Sequence, residues 1–313
     1  MKIVRTILKS HYFSEQPPIL IDIGASGEIN KKWRSIAPYC ICIAFDADER
    51  DFQVNESTNS QYKKLISFNR IVTPDKVTHT NFYLTSSPYC SSLLKPDEEK
   101  LKPWIFHSLF DVEKVTSLPA ITLAESLDQA SINYIDWFKT DTQGTDLRLF
   151  KSLTAELSRD ILMAEFEPGI MDAYHNEDKL SIVMQAMDKN GFWLSSMDVK
   201  GTQRLNAAYV QTIGKSITKR LIRRSPCWAE VTYLRQPFPG TERQLLLLFV
   251  FALLEKQFGF ALEVIDYANE RFNNSLFRDC KKAVLAKLSS DKWKVPMVII
   301  KRQIYKLLSK IDD

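Results

Sequence analysis

The sequence has no apolar run long enough to cross a bilayer as a helix. The longest run, residues 245–254, has ten residues, about half of the roughly 20 that a span needs, so we expect a buried helix there. The first 13 residues also lack the continuous apolar core and the small-residue cleavage site of a secretory signal. These absences favour a cytoplasmic protein.

Cysteine is scarce, and charge of one sign does not dominate. The five cysteines are an odd number at scattered positions, which is consistent with a reducing cytoplasm. Cys40 and Cys42 alternate within an apolar stretch, so we interpret them as small core residues rather than as a metal or redox pair. The formal net charge of +4 is too small to imply a nucleic-acid partner by itself.

What the first 213 residues do contain is an alternation of short apolar runs with helical stretches. Runs typical of strands lie at residues 19–23, 41–45, 65–72, 80–85, 134–140 and 161–166. Stretches typical of helices lie at residues 28–36, 122–130, 144–152 and 178–190. Residues 192–197 and 207–212 suit a closing antiparallel pair, with a turn at Lys200-Gly201. This order predicts an α/β fold with a doubly wound, mainly parallel sheet.

The character of the chain changes after Pro237 and the Pro239-Gly240 pair. Helical periodicity is found at residues 241–258, 259–272, 274–288 and 295–311. We therefore predict a sheet domain over residues 1–235 and an all-helical C-terminal module over residues 236–313. One helix pair of tetratricopeptide type cannot bury both of its faces, so the module should pack on the sheet domain or form a homodimer with a second copy.

Acids end the first two predicted strands. Asp22 closes the first strand and precedes Gly24 and Gly27, and Asp46 ends the second strand. A doubly wound sheet binds its ligands at this edge, where glycines let the backbone come close to a ligand and an acid can accept hydrogen bonds from ribose hydroxyls. The third glycine of a dinucleotide site is missing, which disfavours a nicotinamide-dependent oxidoreductase.

Three more acids lie at the ends of later strands. Asp141 follows one strand, and Lys139 has the same side-chain parity, so an ion pair between the two is one interpretation. Glu165 and Glu167 end the next strand, and His175 lies shortly after them. Such acids can bind a metal, act as a base or hold sugar hydroxyls. For Glu167 a solvated loop is an equally good interpretation.

Five short motifs follow one another over residues 17–213. They are Ile-Asp-Ile-Gly-Ala at 21–25, Ala-Phe-Asp at 44–46, Ser91-Ser92-Leu93, Lys139-x-Asp141-x-x-Gly144 and Glu165-x-Glu167. Their order and spacing resemble the FkbM-type methyltransferases, which are class I enzymes dependent on S-adenosylmethionine. Two positions differ from that family, which usually has Glu in place of Asp46 and commonly has Glu-Gly in place of Gln143-Gly144.

The resemblance implies a sheet of the class I methyltransferase type and S-adenosylmethionine as the cofactor. It assigns cofactor contacts to Asp22, Gly24, Ala25, Ser26, Asp46, Ala47, Ser91 and Ser92. It also implies methylation of a carbohydrate hydroxyl in a surface polysaccharide, a glycolipid or a nucleotide-sugar derivative. The lack of an Asn/Asp-Pro-Pro-Tyr/Phe motif favours oxygen over an exocyclic amine. Asp141, Glu165 and His175 are the catalytic candidates, and Asp141 and Glu165 would hold a divalent metal if one is used.

Other functions stay open at this point, namely methylation of a small natural product or of RNA ribose, and a non-catalytic scaffold that acts through the C-terminal helices. Two basic stretches, from Lys215 to Arg224 and from Lys292 to Lys310, interleave cations with apolar residues. Each is either a solvated helix face or a surface that attracts an anion, namely a nucleotide-sugar phosphate, a lipid head group or a membrane surface. We expect a cytoplasmic protein, which would contact the inner face of the membrane if the basic stretches bind it. We also expect a carbohydrate or glycolipid acceptor and no nucleic-acid partner.

Overall fold

The computed structural model of the chain describes residues 1–25, 30–45 and 61–309. The strands are β1 Ile19–Ile23, β2 Ile41–Phe45, β3 Lys64–Phe68, β4 Ile71–Val72, β5 His79–Thr85, β6 Val112–Ile121, β7 Trp137–Thr140, β8 Met163–Phe166, β9 Phe192–Gln203 and β10 Arg224–Arg235. The α-helices are α1 Lys2–Leu8, α2 His11–Glu15, α3 Glu98–Leu101, α4 Leu123–Ala130, α5 Asp146–Lys151, α6 Ala155–Asp160, α7 Leu180–Lys189, α8 Ala208–Ile213, α9 Lys215–Leu221, α10 Glu242–Leu254, α11 Phe258–Arg271, α12 Ser275–Ser290 and α13 Val295–Ser309.

A seven-stranded sheet with the order β3-β2-β1-β7-β8-β10-β9 organises the chain. Strands β3, β2, β1, β7 and β8 are parallel, and β10 is antiparallel to both of its neighbours. The direction of winding reverses between β1 and β7, and such a switch point places ligands outside the carboxyl ends of its strands. The predicted mainly parallel sheet with an antiparallel closing pair is confirmed.

Helices cover both faces of this sheet. Leu20 and Trp137 pack on one face with α1, α10, α11 and α12, whereas Ile21 and Phe138 pack on the other face with α4, α5 and α7. Successive side chains of a strand point to opposite faces, so a strand buried on both sides is apolar at nearly every position, and the charged exceptions Asp22 and Lys139 pair with each other. This is why the central strands were recognisable as continuous apolar runs.

Helix α10 is the central element of the first face. Residues 245–252 are each 0 % exposed, as expected for a helix that is apolar all round. At its start, Arg243 donates from Nη1 and Nη2 to the two carboxylate oxygens of Asp136, both at 2.8 Å. The apolar run is therefore a buried helix, as predicted, and helices α10, α11 and α12 share one core with the sheet. None of the described helices combines the length and hydropathy that a bilayer span needs.

The predicted closing pair is correct in kind but wrong in its second strand. Residues 208–213 form α8, and the partner of β9 is β10. None of residues 207–213 is buried, so no packing against the sheet supports a strand there. Lys200 and Gly201 lie inside β9, where Gly201 pairs with Pro226, rather than in a turn.

The predicted crossover helix at residues 28–36 is also wrong over its described part. Residues 31–36 form turns, followed by the 3₁₀ turn Ala37–Tyr39. Trp33 and Ile36 are both 0 % exposed, so the spacing that suggested a helix is produced by turns that bury the same two side chains. Strand β6, which was not predicted, joins β4 and β5 in a second, three-stranded sheet.

Candidate functional site

A cavity of about 490 Å³ lies where the carboxyl ends of the central strands face the three-stranded sheet. The central sheet and its turns contribute Ile23, Gly24, Phe45, Asp141 and Glu167 to its lining. The small sheet and its loops contribute mostly apolar side chains, among them Val72, Phe82, Leu93, Phe106 and Phe110. The volume is in the usual range of small-molecule sites, roughly 300–1,000 Å³, and the position is the switch point of the sheet. This cavity is therefore the candidate ligand site.

The turn after β1 contacts the turn after β7 through the backbone. The amide of Asp141 donates to the carbonyl oxygen of Ile23 at 2.9 Å, and Gly24 has a φ of +83°. A Cβ on Gly24 would lie 2.0 Å from the carbonyl oxygen of Asp141, so only glycine can occupy this position. Gly24 therefore permits a close contact between the turn after β1 and the turn after β7, and this contact positions Asp141.

The carboxylate of Asp141 lies at the cavity wall. Its Oδ1 accepts a hydrogen bond from Nε2 of Gln143 at 2.6 Å. Burial raises the pKa of Asp141 to about 6, against the opposing effect of the Lys139 charge. An acid that is mostly ionised at neutral pH yet more basic than usual suits a general base.

A second cavity of about 410 Å³ adjoins the first across the ends of β7, β8 and β10. Asp141, Glu167 and Glu230 line both cavities. Other charged residues lining the second cavity are Lys32, Lys139, Glu165, Asp198 and Glu255. The two cavities thus differ in chemistry: the first is mainly apolar and aromatic, and the second is rich in carboxylates.

Glu167 stands at the boundary between these cavities. Burial raises the pKa of Glu167 to about 9, and the carboxylates of Asp141 and Glu230 add to the rise. At neutral pH Glu167 therefore holds a proton while Asp141 is mostly ionised. Two neighbouring acids whose surroundings separate their pKa values in this way are candidates for an acid–base pair.

Next to the Asp141–Glu167 pair, charged side chains of β1, β7 and β8 form a row across the sheet face that α10 covers. The strand register aligns Asp22 with Lys139 and Lys139 with Glu165. Nζ of Lys139 donates to Oδ1 of Asp22 at 2.6 Å, so its ion pair is with Asp22 and not with Asp141. Glu165 accepts from Nζ of Lys32 and from Nε1 of Trp137, both at 2.8 Å.

The structure places only some of the residues assigned to the cofactor at the first cavity. Ser91 lines the first cavity. Asp22 is 5 % exposed, is bound by Lys139 and lines neither cavity. The Ser92 hydroxyl donates to the carbonyl oxygen of Gln143 at 2.8 Å, so it supports the turn after β7. The amide of Ala25, like that of Gly24, donates to the carbonyl oxygen of Phe45. The remaining assigned residues, Ser26, Asp46 and Ala47, lie outside the described part of the chain.

The three catalytic candidates are not brought together at one point. Asp141 lines both cavities, whereas Glu165 lines only the second. The side chain of His175 is 52 % exposed, and its Nδ1 lies 3.6 Å from Oδ2 of Asp97, outside both linings. Over residues 1–25, 30–45 and 61–309, no three His, Cys, Asp or Glu side chains form a group that could hold a metal ion.

Asp146 is a site residue that the sequence did not reveal. It is 0 % exposed, and its Oδ1 accepts from the amide and the hydroxyl of Thr142 at 3.0 and 2.6 Å. Its Oδ2 accepts from the amide of Glu167 at 3.2 Å. One carboxylate thus fixes the turn after β7 to the end of β8. The available signal was an acid in the first turn of a helix, where carboxylates are favoured.

Comparison of the sequence with protein-family models and with curated proteins found no match.

Proposed function

We propose that this protein is an S-adenosylmethionine-dependent methyltransferase of the class I, FkbM-like type that methylates a carbohydrate hydroxyl. The observation that supports this most is the Asp141–Glu167 pair at the boundary between an apolar cavity and a carboxylate-rich cavity. The parallel strands with an antiparallel β10 between β8 and β9 also agree with the sheet that the five motifs imply.

The first cavity suits S-adenosylmethionine in size and in lining. Phe45, Val72 and Phe82 give it apolar walls for a purine ring, and Asp141 and Ser91 give it polar groups. The carboxylate of Asp141 favours a positively charged sulfur nearby. When bound, the cofactor would supply a methyl group activated by that charge.

The second cavity suits a neutral acceptor that bears several hydroxyl groups. Carboxylates such as Asp198 and Glu230 accept hydrogen bonds from hydroxyls. Phosphate groups would be repelled by the excess of carboxylates in this lining, which disfavours RNA ribose as the acceptor. A sugar unit meets these requirements, and its class comes from the motif resemblance.

Asp141 and Glu167 have complementary roles in this proposal. Ionised Asp141 takes the proton of the acceptor hydroxyl as the oxygen–carbon bond forms. Protonated Glu167 donates a hydrogen bond to a second acceptor oxygen and so orients the sugar. Because methyl transfer needs three atoms in line, this orientation should account for much of the rate.

Calorimetry with S-adenosylhomocysteine and transfer of labelled methyl groups to a panel of cell-envelope glycans test the proposal. We expect micromolar binding to the wild type, and we expect Asp141→Asn to keep that binding within about threefold while transfer falls by about 10²-fold or more. Asp188→Asn, at an exposed position on α7, is the matched control and should change neither quantity. A wild-type protein that does not bind S-adenosylhomocysteine at millimolar concentration would refute the proposal.

A further inference from the structure

The connection between β9 and β10 leaves and re-enters the sheet at the edge where the candidate site lies. Gln203, the last residue of β9, pairs with Arg224, the first residue of β10. Strand β10 then contributes Cys227, Trp228 and Glu230 to the first cavity. Helices α8 and α9, which form the connection, are therefore only a few residues from the cavity wall.

This connection is strongly basic. Residues 199–229 contain no Asp or Glu. Their cations are Lys200, Arg204, Lys215, Lys219, Arg220, Arg223 and Arg224. The group from Lys215 to Arg224 is exposed at every one of its cationic positions. Lys200 pairs with Asp198 and Glu230 of the second cavity, so the basic surface that is separate from that cavity consists of the cations from Arg204 to Arg224.

Large apolar side chains are exposed beside these cations. Tyr209 is 60 % exposed, Ile217 is 49 % exposed and Leu221 is 79 % exposed. An anionic lipid surface gains from both features, since its headgroups attract cations and its acyl boundary accepts apolar side chains. A nucleic acid would gain from the cations and from stacking on Tyr209 but not from Ile217 and Leu221, so the combination favours lipid.

We propose that residues 204–224 dock the protein on an anionic membrane surface, with the mouth of the first cavity near the headgroups. The proposed docking is argued from the charge and the exposure of residues 204–224. Only its use, the delivery of a lipid-linked acceptor to the site, rests on the proposed methyl transfer. The 3₁₀ turn Lys292–Lys294 and helix α13 have a similar composition, with Trp293 at 66 % and Ile300 at 55 % exposed, so the experiment must separate the two surfaces.

Vesicle flotation tests the docking. The full-length protein should float with vesicles of phosphatidylcholine and phosphatidylglycerol, should not float with phosphatidylcholine alone, and should be released by high salt. The double variant Lys219→Glu/Arg220→Glu should bind the vesicles at least about tenfold more weakly, because each cation near an anionic surface contributes roughly fivefold to the partition coefficient. Leu221→Ser should weaken partitioning without any change of charge.

Matched variants show whether the position matters. Lys63→Glu/Lys64→Glu makes the same change of charge at exposed positions beside β3, and Ile182→Ser removes an apolar side chain that is 49 % exposed on α7. Both should partition within about twofold of the wild type. Binding of S-adenosylhomocysteine, measured in parallel, should be unchanged in every variant, so a failure of docking is distinguishable from a failure of the proposed function.

Four outcomes would overturn the proposal. They are a wild type that does not float with anionic vesicles, an equal loss in the Lys63/Lys64 control, a loss confined to Lys292→Glu/Lys294→Glu beside α13, and tight binding of a single-stranded oligonucleotide through Lys219 and Arg220 with no vesicle binding. The last outcome would assign the surface to nucleic acid.

Discussion

Gly24 and Asp141 are in backbone contact at the switch point of the sheet, so closely that a Cβ on Gly24 would lie 2.0 Å from the carbonyl oxygen of Asp141. The two residues are more than a hundred positions apart in the sequence. The acid that we propose as the general base is therefore positioned by a turn in another part of the chain.

Gly24→Ala should destabilise the protein by about 3 kcal/mol, because it combines a positive φ with a backbone clash. Urea unfolding measures this change. Gly259→Ala on α11 is the control: a Cβ there would have no heavy atom within 4 Å, and we expect it to be neutral or to stabilise by up to about 1 kcal/mol. Equal stability of the Gly24 variant and the wild type would contradict the contact.

The strands of the central sheet could be predicted because burial on both faces leaves a local pattern. Residues 19–23 and 41–45 are apolar runs of strand length, and both are strands. The second strand of the closing pair could not be predicted in the same way, since residues 207–213 become a strand or a helix according to what packs on them. Without tertiary contacts, local preference decides, and it gives α8.

The candidate site was only partly predictable, for a related reason. Asp141 was identified because it follows a central strand. The alternative that Lys139 pairs with Asp141 is wrong, because side-chain parity along one strand does not tell which residue lies opposite on the next strand. The register places Asp22 opposite Lys139. Glu230 was not identified because its strand, β10, was not predicted. Asp146 was not identified because its role consists of contacts to two separate turns.

Removing the buried ion pair at the start of α10 should test whether the C-terminal helices share the stability of the sheet. Arg243→Ala leaves Asp136, which is 2 % exposed, without its cation, and this typically costs about 3–5 kcal/mol. We expect the loss as a shift of one unfolding transition, followed by far-UV circular dichroism in urea. Lys281→Ala removes an exposed pair with Asp266 and should cost less than about 1 kcal/mol. Two separate transitions, with only one of them shifted, would contradict a shared core.

The acid–base pair predicts a bell-shaped dependence of kcat/KM on pH for methyl transfer. Activity should rise as Asp141 ionises, since burial raises its pKa to about 6, and should fall as Glu167 loses its proton, since burial raises its pKa to about 9. Glu167→Gln keeps the hydrogen-bond donor and removes the titration, so the alkaline limb should disappear. A profile that keeps its alkaline limb in this variant would exclude Glu167 as its origin.

Glu167 should also make the folded protein less stable as the pH rises. Burial raises its pKa from the ordinary value of 4.5 to about 9 in the folded state. Between these two pH values the folded state therefore binds more protons than the unfolded state. As a result, the free energy of unfolding decreases as the pH rises. Glu167→Gln should therefore be more stable than the wild type at pH 8, by a gain that grows by about 1.4 kcal/mol or less for each pH unit above pH 4.5. At pH 4, where the side chain is protonated in both states, the difference should be small.

Asp188→Asn, exposed on α7, should give no such gain. Thermal unfolding across this pH range measures the effect, and a gain that is the same at both pH values would show that the variant acts through packing and not through the charge of Glu167.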